Sequence, residues 1–126
     1  MMLAHEIPYI ASANPAYPND LARKILAAKE MRGFRFIHIF SACPPGHKSL
    51  EADSMKISRL AVETGLFPLY EVRDGVGALT ENPAVKPIDE YIHLQRRFAH
   101  FTEKDVGEAQ AAIEKSRVRL KRILNI

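Results

Sequence analysis

The sequence predicts an α/β fold with a small, mostly parallel sheet, one hairpin, flanking helices and a closing run of helices. Three observations point there. Phe34-Arg35-Phe36-Ile37-His38-Ile39-Phe40 carries apolar side chains at both parities, the pattern of a strand covered on both faces as in a parallel sheet. A helical-period segment and a shorter apolar strand precede it, which together make a strand–helix–strand crossover unit, right-handed by rule. Downstream, Asp74-Gly75 between apolar stretches signals a tight hairpin.

Taken in order, Pro8 to Ala13 reads as a brief strand, broken by Asn14-Pro15. Pro18-Asn19-Asp20 starts a helix whose apolar stripe is expected at Leu21, Ile25, Ala28 and Met31, with Gly33 as its stop. After the Phe34–Phe40 strand, Ser49 or a neighbour opens a second helix with Met55, Ile57, Leu60 and Ala61 buried, ended by Gly65. Phe67 to Val72 is another strand, returning through the hairpin to Ala78–Thr80. Glu81 to Pro87 is a connector, and Ile88–Phe98 and Thr102–Leu124 read as helices. Thr102 with Asp105 resembles a capping arrangement, and Val106, Ala109, Ile113, Leu120 and Leu124 form the last helix's stripe. This divides the chain into a partial α/β domain, residues 1–80, and a connector with carboxy-terminal helices, residues 81–126.

A length of 126 residues fits one domain, and 47% apolar residues suffice for a core. No apolar run approaches the roughly 20 residues of a membrane span. Met1 to Tyr9 holds a histidine, a glutamate and a proline where a signal peptide would be apolar, so a cytoplasmic protein is expected. The single cysteine, Cys43, excludes an intrachain disulfide and a multi-cysteine zinc site. Lys115, Arg117, Arg119, Lys121 and Arg122 crowd the end of the chain; without a nucleic-acid motif beside them, they read as a solvated helix end facing the negative pole of the helix dipole. So few strands, one built to be buried on both faces, leave apolar edges with nothing to pair, and the chain reads as part of a larger sheet.

Ligands in open α/β sheets gather beyond the carboxyl ends of the strands. There the sequence places Ser41-Ala42-Cys43-Pro44-Pro45-Gly46-His47-Lys48, a loop stiffened by two prolines. Cys43 has three readings: a small buried residue without chemistry, a nucleophile with His47 or His38 as base, or a metal or cluster ligand. One thiolate cannot hold an iron–sulfur cluster, which takes about four, so its partners would come from elsewhere. His5, His38, His47, His93 and His100 are scattered and share no metal-site spacing, and His38 is expected to be a hydrogen-bonded core residue. No carboxylate pair stands out for acid–base work, and neither GxGxxG nor a Walker loop is present.

Five stretches in register carry a resemblance. They are His5-Glu-Ile-Pro-Tyr-Ile-Ala-Ser-Ala, Ala16-Tyr-Pro-Asn-Asp-Leu, Phe36-Ile-His-Ile-Phe-Ser-Ala-Cys-Pro-Pro-Gly, Leu60-Ala-Val-Glu-Thr-Gly-Leu-Phe-Pro-Leu-Tyr-Glu-Val and Ile88-Asp-Glu-Tyr-Ile-His-Leu-Gln-Arg-Arg-Phe-Ala-His-Phe-Thr. Together they resemble the carboxy-terminal part of the thiamine-diphosphate-binding beta subunit of 2-oxoacid:ferredoxin oxidoreductases, the pyruvate:ferredoxin oxidoreductase family. The resemblance implies oxidative decarboxylation of a 2-oxo acid to an acyl-CoA, with thiamine diphosphate, magnesium, iron–sulfur clusters and ferredoxin. It also implies that Cys43 is the last ligand of the 4Fe–4S cluster nearest the thiamine. The family's other cluster cysteines and its Gly-Asp-Gly…Asn diphosphate segment precede the region matching His5, and Met1-Met2-Leu3-Ala4 resembles interior sequence.

The expected protein is therefore one part of an enzyme, with the missing amino-terminal half of the beta subunit and the other subunits as partners, inactive alone. Two rivals are a non-catalytic subunit-interaction module that kept the fold and a basic nucleic-acid binder acting through the last helix. Calorimetric titration of the isolated chain with thiamine diphosphate and magnesium is expected to show no appreciable binding, because nothing in the chain replaces the diphosphate anchor. Micromolar, magnesium-dependent heat would contradict that expectation.

Overall fold

A computed structural model describes residues 5–83 and 85–126; the Met1–Ala4 reading lies outside the described residues. The elements are β1 (Tyr9–Ala13), α1 (Pro18–Glu30), β2 (Arg35–Ile39), a one-turn helix α2 (Pro44–His47), a 3-10 turn (Glu51–Asp53) and α3 (Ser54–Glu63). There follow β3 (Leu69–Arg73), β4 (Val76–Glu81), α4 (Asp89–His93), a second 3-10 turn (Arg96–Phe98) and α5 (Glu103–Leu124). The four strands form one sheet in the order β2-β1-β3-β4.

The α/β class and the sequence of elements follow the expectation, and the sheet itself is mixed. β1 and β2 pair in parallel, Ile10 opposite Phe36 and Ala13 opposite Ile39, while β3 runs antiparallel to both β1 and β4. The β3–β4 pairing is the expected hairpin: Asp74 and Gly75 both have positive φ, +46° and +83°, which matches the twist of a two-residue hairpin. The strand expected to be covered on both faces, within Phe34–Phe40, lies at an edge of the sheet. β1, whose five residues are all buried, takes the central place, and β2 is half-buried to exposed.

Both sheet faces are covered. Tyr9, Ala11 and Ala28 pack with Ala27, Met31 and Ile37 beneath α1. On the opposite face Ile10, Val72 and Leu124 meet Phe36, Tyr70, Leu79 and Leu120, so the end of α5 lies on the sheet. Gly77 permits that approach: a Cβ there would come within 2.6 Å of Leu124 Cδ2 and 3.1 Å of its Cα. A third cluster joins Ile57, Leu60 and Ala61 of α3 to Ile88, Tyr91, Ile92 and Ile113. The last helix begins as its sequence suggested, with Thr102 N–H donating to Asp105 Oδ2 at 2.7 Å and Asp105 N–H returning to Thr102 Oγ1 at 3.3 Å.

Three segments depart from expectation. The inward face of α1 is formed by Asp20, Lys24 and Ala28, while Ile25 is 48% exposed. Lys24 has no exposed surface; its ammonium donates to Asp20 Oδ2 at 2.6 Å, Ser12 O at 2.7 Å and Thr80 Oγ1 at 2.7 Å. Met55 likewise turns outward, and Val62 and Ser58 join the buried face of α3 in its place. The helix expected over Ile88–Phe98 is split at Gln95, which is extended at φ −128°. There the buried Gln95 amide donates to Tyr91 O and the Arg96 N–H leaves the helix to donate to Lys48 O at 3.0 Å.

Burial lowers the pKa of Lys24, and the Asp20 carboxylate beside it opposes the shift. Asp20→Ala would leave that ammonium among neutral acceptors. The expected loss is about 3 kcal/mol in urea unfolding, the scale for removing one partner of a buried pair. A loss below about 1 kcal/mol would assign the site no more than the worth of a surface pair.

Candidate functional site

Because β1 and β2 are parallel, their carboxyl ends lie on the same side of the sheet. The ladder extends one bond past the strands, Phe40 N–H donating to Ala13 O at 2.9 Å. Asn14 then closes β1. Its side chain is fully buried, donates from Nδ2 to Ser58 O at 2.8 Å and accepts from Ala16 N–H at 2.9 Å. An Asn at this point ties the strand end to α3 while turning the chain into α1, a use of the side chain that suits a turn residue.

On the neighbouring strand the chain runs through Ser41 and Ala42 to Cys43, the residue before α2. Pro44 and Pro45 fill the first helical positions, where the missing N–H groups cost nothing and φ is already set. His47 N–H donates to Cys43 O at 2.7 Å, Ser49 N–H to Pro44 O at 3.1 Å, and Lys48, at φ 50°, ends the turn. With Arg96 N–H on Lys48 O, the loop is held at both its own turn and the segment after α4. Cys43 is a free thiol and exposed, not a buried filler. Gly46 leaves room beside the sulfur, since a Cβ at that position would sit 3.5 Å from Sγ.

Behind the loop stands an aromatic wall. Phe40 meets Phe67 with ring centres 5.4 Å apart, His47 lies 6.4 Å from Phe40, and His38 sits edge-on to Phe67 at 5.2 Å. His38 is therefore an exposed strand residue resting on an aromatic ring, in place of the expected core histidine. His47 Nδ1 is buried without a hydrogen-bond partner, so nothing orients the ring as a general base requires. Burial, aided by the Arg97 charge, holds the His47 pKa below its usual value. Arg97 is fixed by Gln95 Oε1 at 2.9 Å and stacks on Phe98 at 4.6 Å.

Among the described residues no three His, Cys, Asp or Glu side chains converge as a metal site would. The basic residues Lys121 and Arg122 fall in the last turn of α5, with Arg117 turned partly toward Gly65. Among the described residues no helix is long and apolar enough to cross a membrane.

No family model matches the chain. It is 41% identical over 115 residues to the pyruvate synthase subunit PorB of Methanocaldococcus jannaschii, covering 90% of this chain and 39% of that protein. It is 39% identical over 129 residues to the ketoisovalerate oxidoreductase subunit VorB of Pyrococcus horikoshii, covering 100% of this chain and 42% of that protein. The PorB subunit of Methanosarcina barkeri is 36% identical over 113 residues. By their names these relatives are subunits of a pyruvate synthase and of a ketoisovalerate oxidoreductase. The chain is homologous to part of these relatives, which are beta subunits of the 2-oxoacid:ferredoxin oxidoreductase family. It spans about two fifths of the length of the relatives it matches, 39% and 42% in the first two.

The buried Asn14 and the Arg97–Gln95 support were not visible as site residues in the sequence. Asn14 stood next to Pro15 and read only as a strand breaker. Proton NMR titration of His47 is expected to give a midpoint below 6.5, moving upward in Arg97→Gln. A midpoint at or above 6.5 in the unsubstituted chain would show that the ring is solvated.

Proposed function

We propose that this chain forms part of the beta subunit of a 2-oxoacid:ferredoxin oxidoreductase, and that Cys43 donates one thiolate to a 4Fe–4S cluster completed by cysteines outside this chain. The observation that carries the proposal is an exposed thiol on a doubly anchored turn at the carboxyl end of parallel strands. A ligand so placed lies at the surface of this chain, where a second polypeptide can contribute the other thiolates. The homology supplies the family, and the relatives' names include both pyruvate and ketoisovalerate enzymes at similar identity. A 2-oxo acid such as pyruvate is accordingly the proposed substrate class of the whole complex, with CoA as acyl acceptor and ferredoxin as electron partner.

Such a cluster would take up and pass on single electrons. The chain's own part is to hold. The proline turn fixes the loop that carries Sγ, and the rings of Phe40 and Phe67 pack against each other behind it. Thiamine diphosphate and magnesium belong to the complete subunit on this reading, bound by a segment this chain does not contain. The complex would be cytoplasmic, and this chain alone inactive.

Anaerobic reconstitution with iron and sulfide tests the assignment. The isolated chain is expected to stay colourless, and the chain co-expressed with the family segment carrying the remaining cysteines to develop the brown absorption of a 4Fe–4S cluster. Cys43→Ser should weaken or abolish that absorption, while His47→Ala should keep it. A full cluster in Cys43→Ala would overturn the proposal.

A further inference from the structure

We infer that the hollow between the Cys43 turn and the turn after α4 binds the phosphate end of a nucleotide, with Lys48 and Arg96 as its cations. The inference goes beyond the cluster assignment and does not rest on it. The hollow has a volume of about 580 Å³, within the range of small-molecule sites. Backbone contact brings its cations together. Arg96 N–H donates to Lys48 O at 3.0 Å, so both side chains leave from one junction and line one cavity.

An anion is what this lining lacks. The ion pairs among the described residues include neither Lys48 nor Arg96, although the Asp53 carboxylate lines the same hollow. Ser49, next to Lys48, lines it too, and its hydroxyl is buried without a hydrogen-bond partner. A buried hydroxyl with nothing to bond is costly, and a polar ligand in the hollow would supply an acceptor. Lys48 itself holds φ 50°, the left-handed backbone that glycine or asparagine adopts most readily after a helix. Glycine would close that turn at less cost, so the lysine contributes its charge rather than its backbone.

The mix of groups selects the ligand. Lysine is a point charge and arginine a planar fork; a phosphate group, with up to two negative charges and three acceptor oxygens, can engage both along with the Ser49 hydroxyl. Asp53 repels a second anion but accepts hydrogen bonds from hydroxyl groups, such as those of a ribose. Leu50, 69% exposed, and Leu94 add apolar surface that a base can cover. A phosphate, sugar hydroxyls and a flat base are the parts of a nucleotide. A free nucleotide and the nucleotide end of CoA share them.

Calorimetric titration of the chain with pyrophosphate, ADP, CoA and adenosine at about 0.15 M salt tests the site. ADP is expected to bind with a dissociation constant below about 1 mM, and adenosine, lacking phosphate, to give no heat. Lys48→Gln and Arg96→Gln should each weaken ADP about tenfold. Ser49→Ala should weaken it severalfold without lowering the unfolding midpoint, because the hydroxyl bonds nothing in the chain. Asp53→Asn should tighten pyrophosphate, which has no hydroxyl for the carboxylate to hold. Cys43→Ser should leave binding unchanged, so failure of the cluster assignment and failure of this site are separate results. Arg119→Gln removes an exposed charge from α5 and should likewise leave ADP binding as it is. CoA tighter than ADP by about tenfold or more would identify the acyl carrier as the ligand; CoA equal to ADP or weaker would identify a free nucleotide. No heat with ADP or CoA at millimolar concentration, or binding indifferent to Lys48→Gln and Arg96→Gln, would overturn the inference. So would an equal loss in Arg119→Gln, the mark of general attraction to a basic chain.

Discussion

The position of everything at the strand ends depends on one buried ammonium. Lys24 reaches down from α1 to the carbonyl of Ser12 near the end of β1 and to the hydroxyl of Thr80 on β4, and is neutralised by Asp20 one helical turn back. An apolar residue there could fill the volume but could not fix a direction. Three acceptors at hydrogen-bond distance hold α1 at one rotation and one height above the sheet. The link from α1 to β2 then determines where β2 begins, and with it where the Cys43 turn emerges. A second polar group finishes the work, the partly buried Glu71 carboxylate. Burial would raise its pKa, but hydrogen bonds from Arg23 and Tyr9 and the charges of Arg23 and Arg73 hold it low.

That polar seam explains which parts of the fold could be read from the chain. Elements set by local chemistry were legible: the Asp74-Gly75 turn, the Thr102–Asp105 cap, Gly65 at its positive φ after α3, and the stripe of α5 from Val106 to Leu124. What failed was decided by distant partners. Asp20 and Lys24, four residues apart, form the commonest pattern of a solvent-facing helix pair, and only the carbonyl and hydroxyl of the sheet turn them inward. The break at Gln95 likewise depends on Lys48, far away in sequence, offering its carbonyl. For the site, residue type and neighbouring prolines marked Cys43, whereas its exposure and the anchoring of its turn are products of the folded chain.

β2 joins these two themes. Apolar residues at both parities indicated a strand covered on both faces; among the described residues β2 is half-buried to exposed and has a strand neighbour on one edge. The chain spans about two fifths of the relatives it matches. Both the thiol and the strand edge lie on surfaces of this chain rather than inside it.

The contact between Gly77 and Leu124 carries a consequence for biogenesis. One face of the sheet is closed by the final turn of α5, with Ile10 of the first strand and Leu124 in a single cluster. That face cannot be sealed until Leu124 has left the ribosome, however early β1, α1 and β2 come together. A sheet assembled before then would leave Ile10, Phe36 and Val72 without that cover. Closing that face joins the most distant parts of the chain, the kind of step that slows folding and lengthens exposure to aggregation.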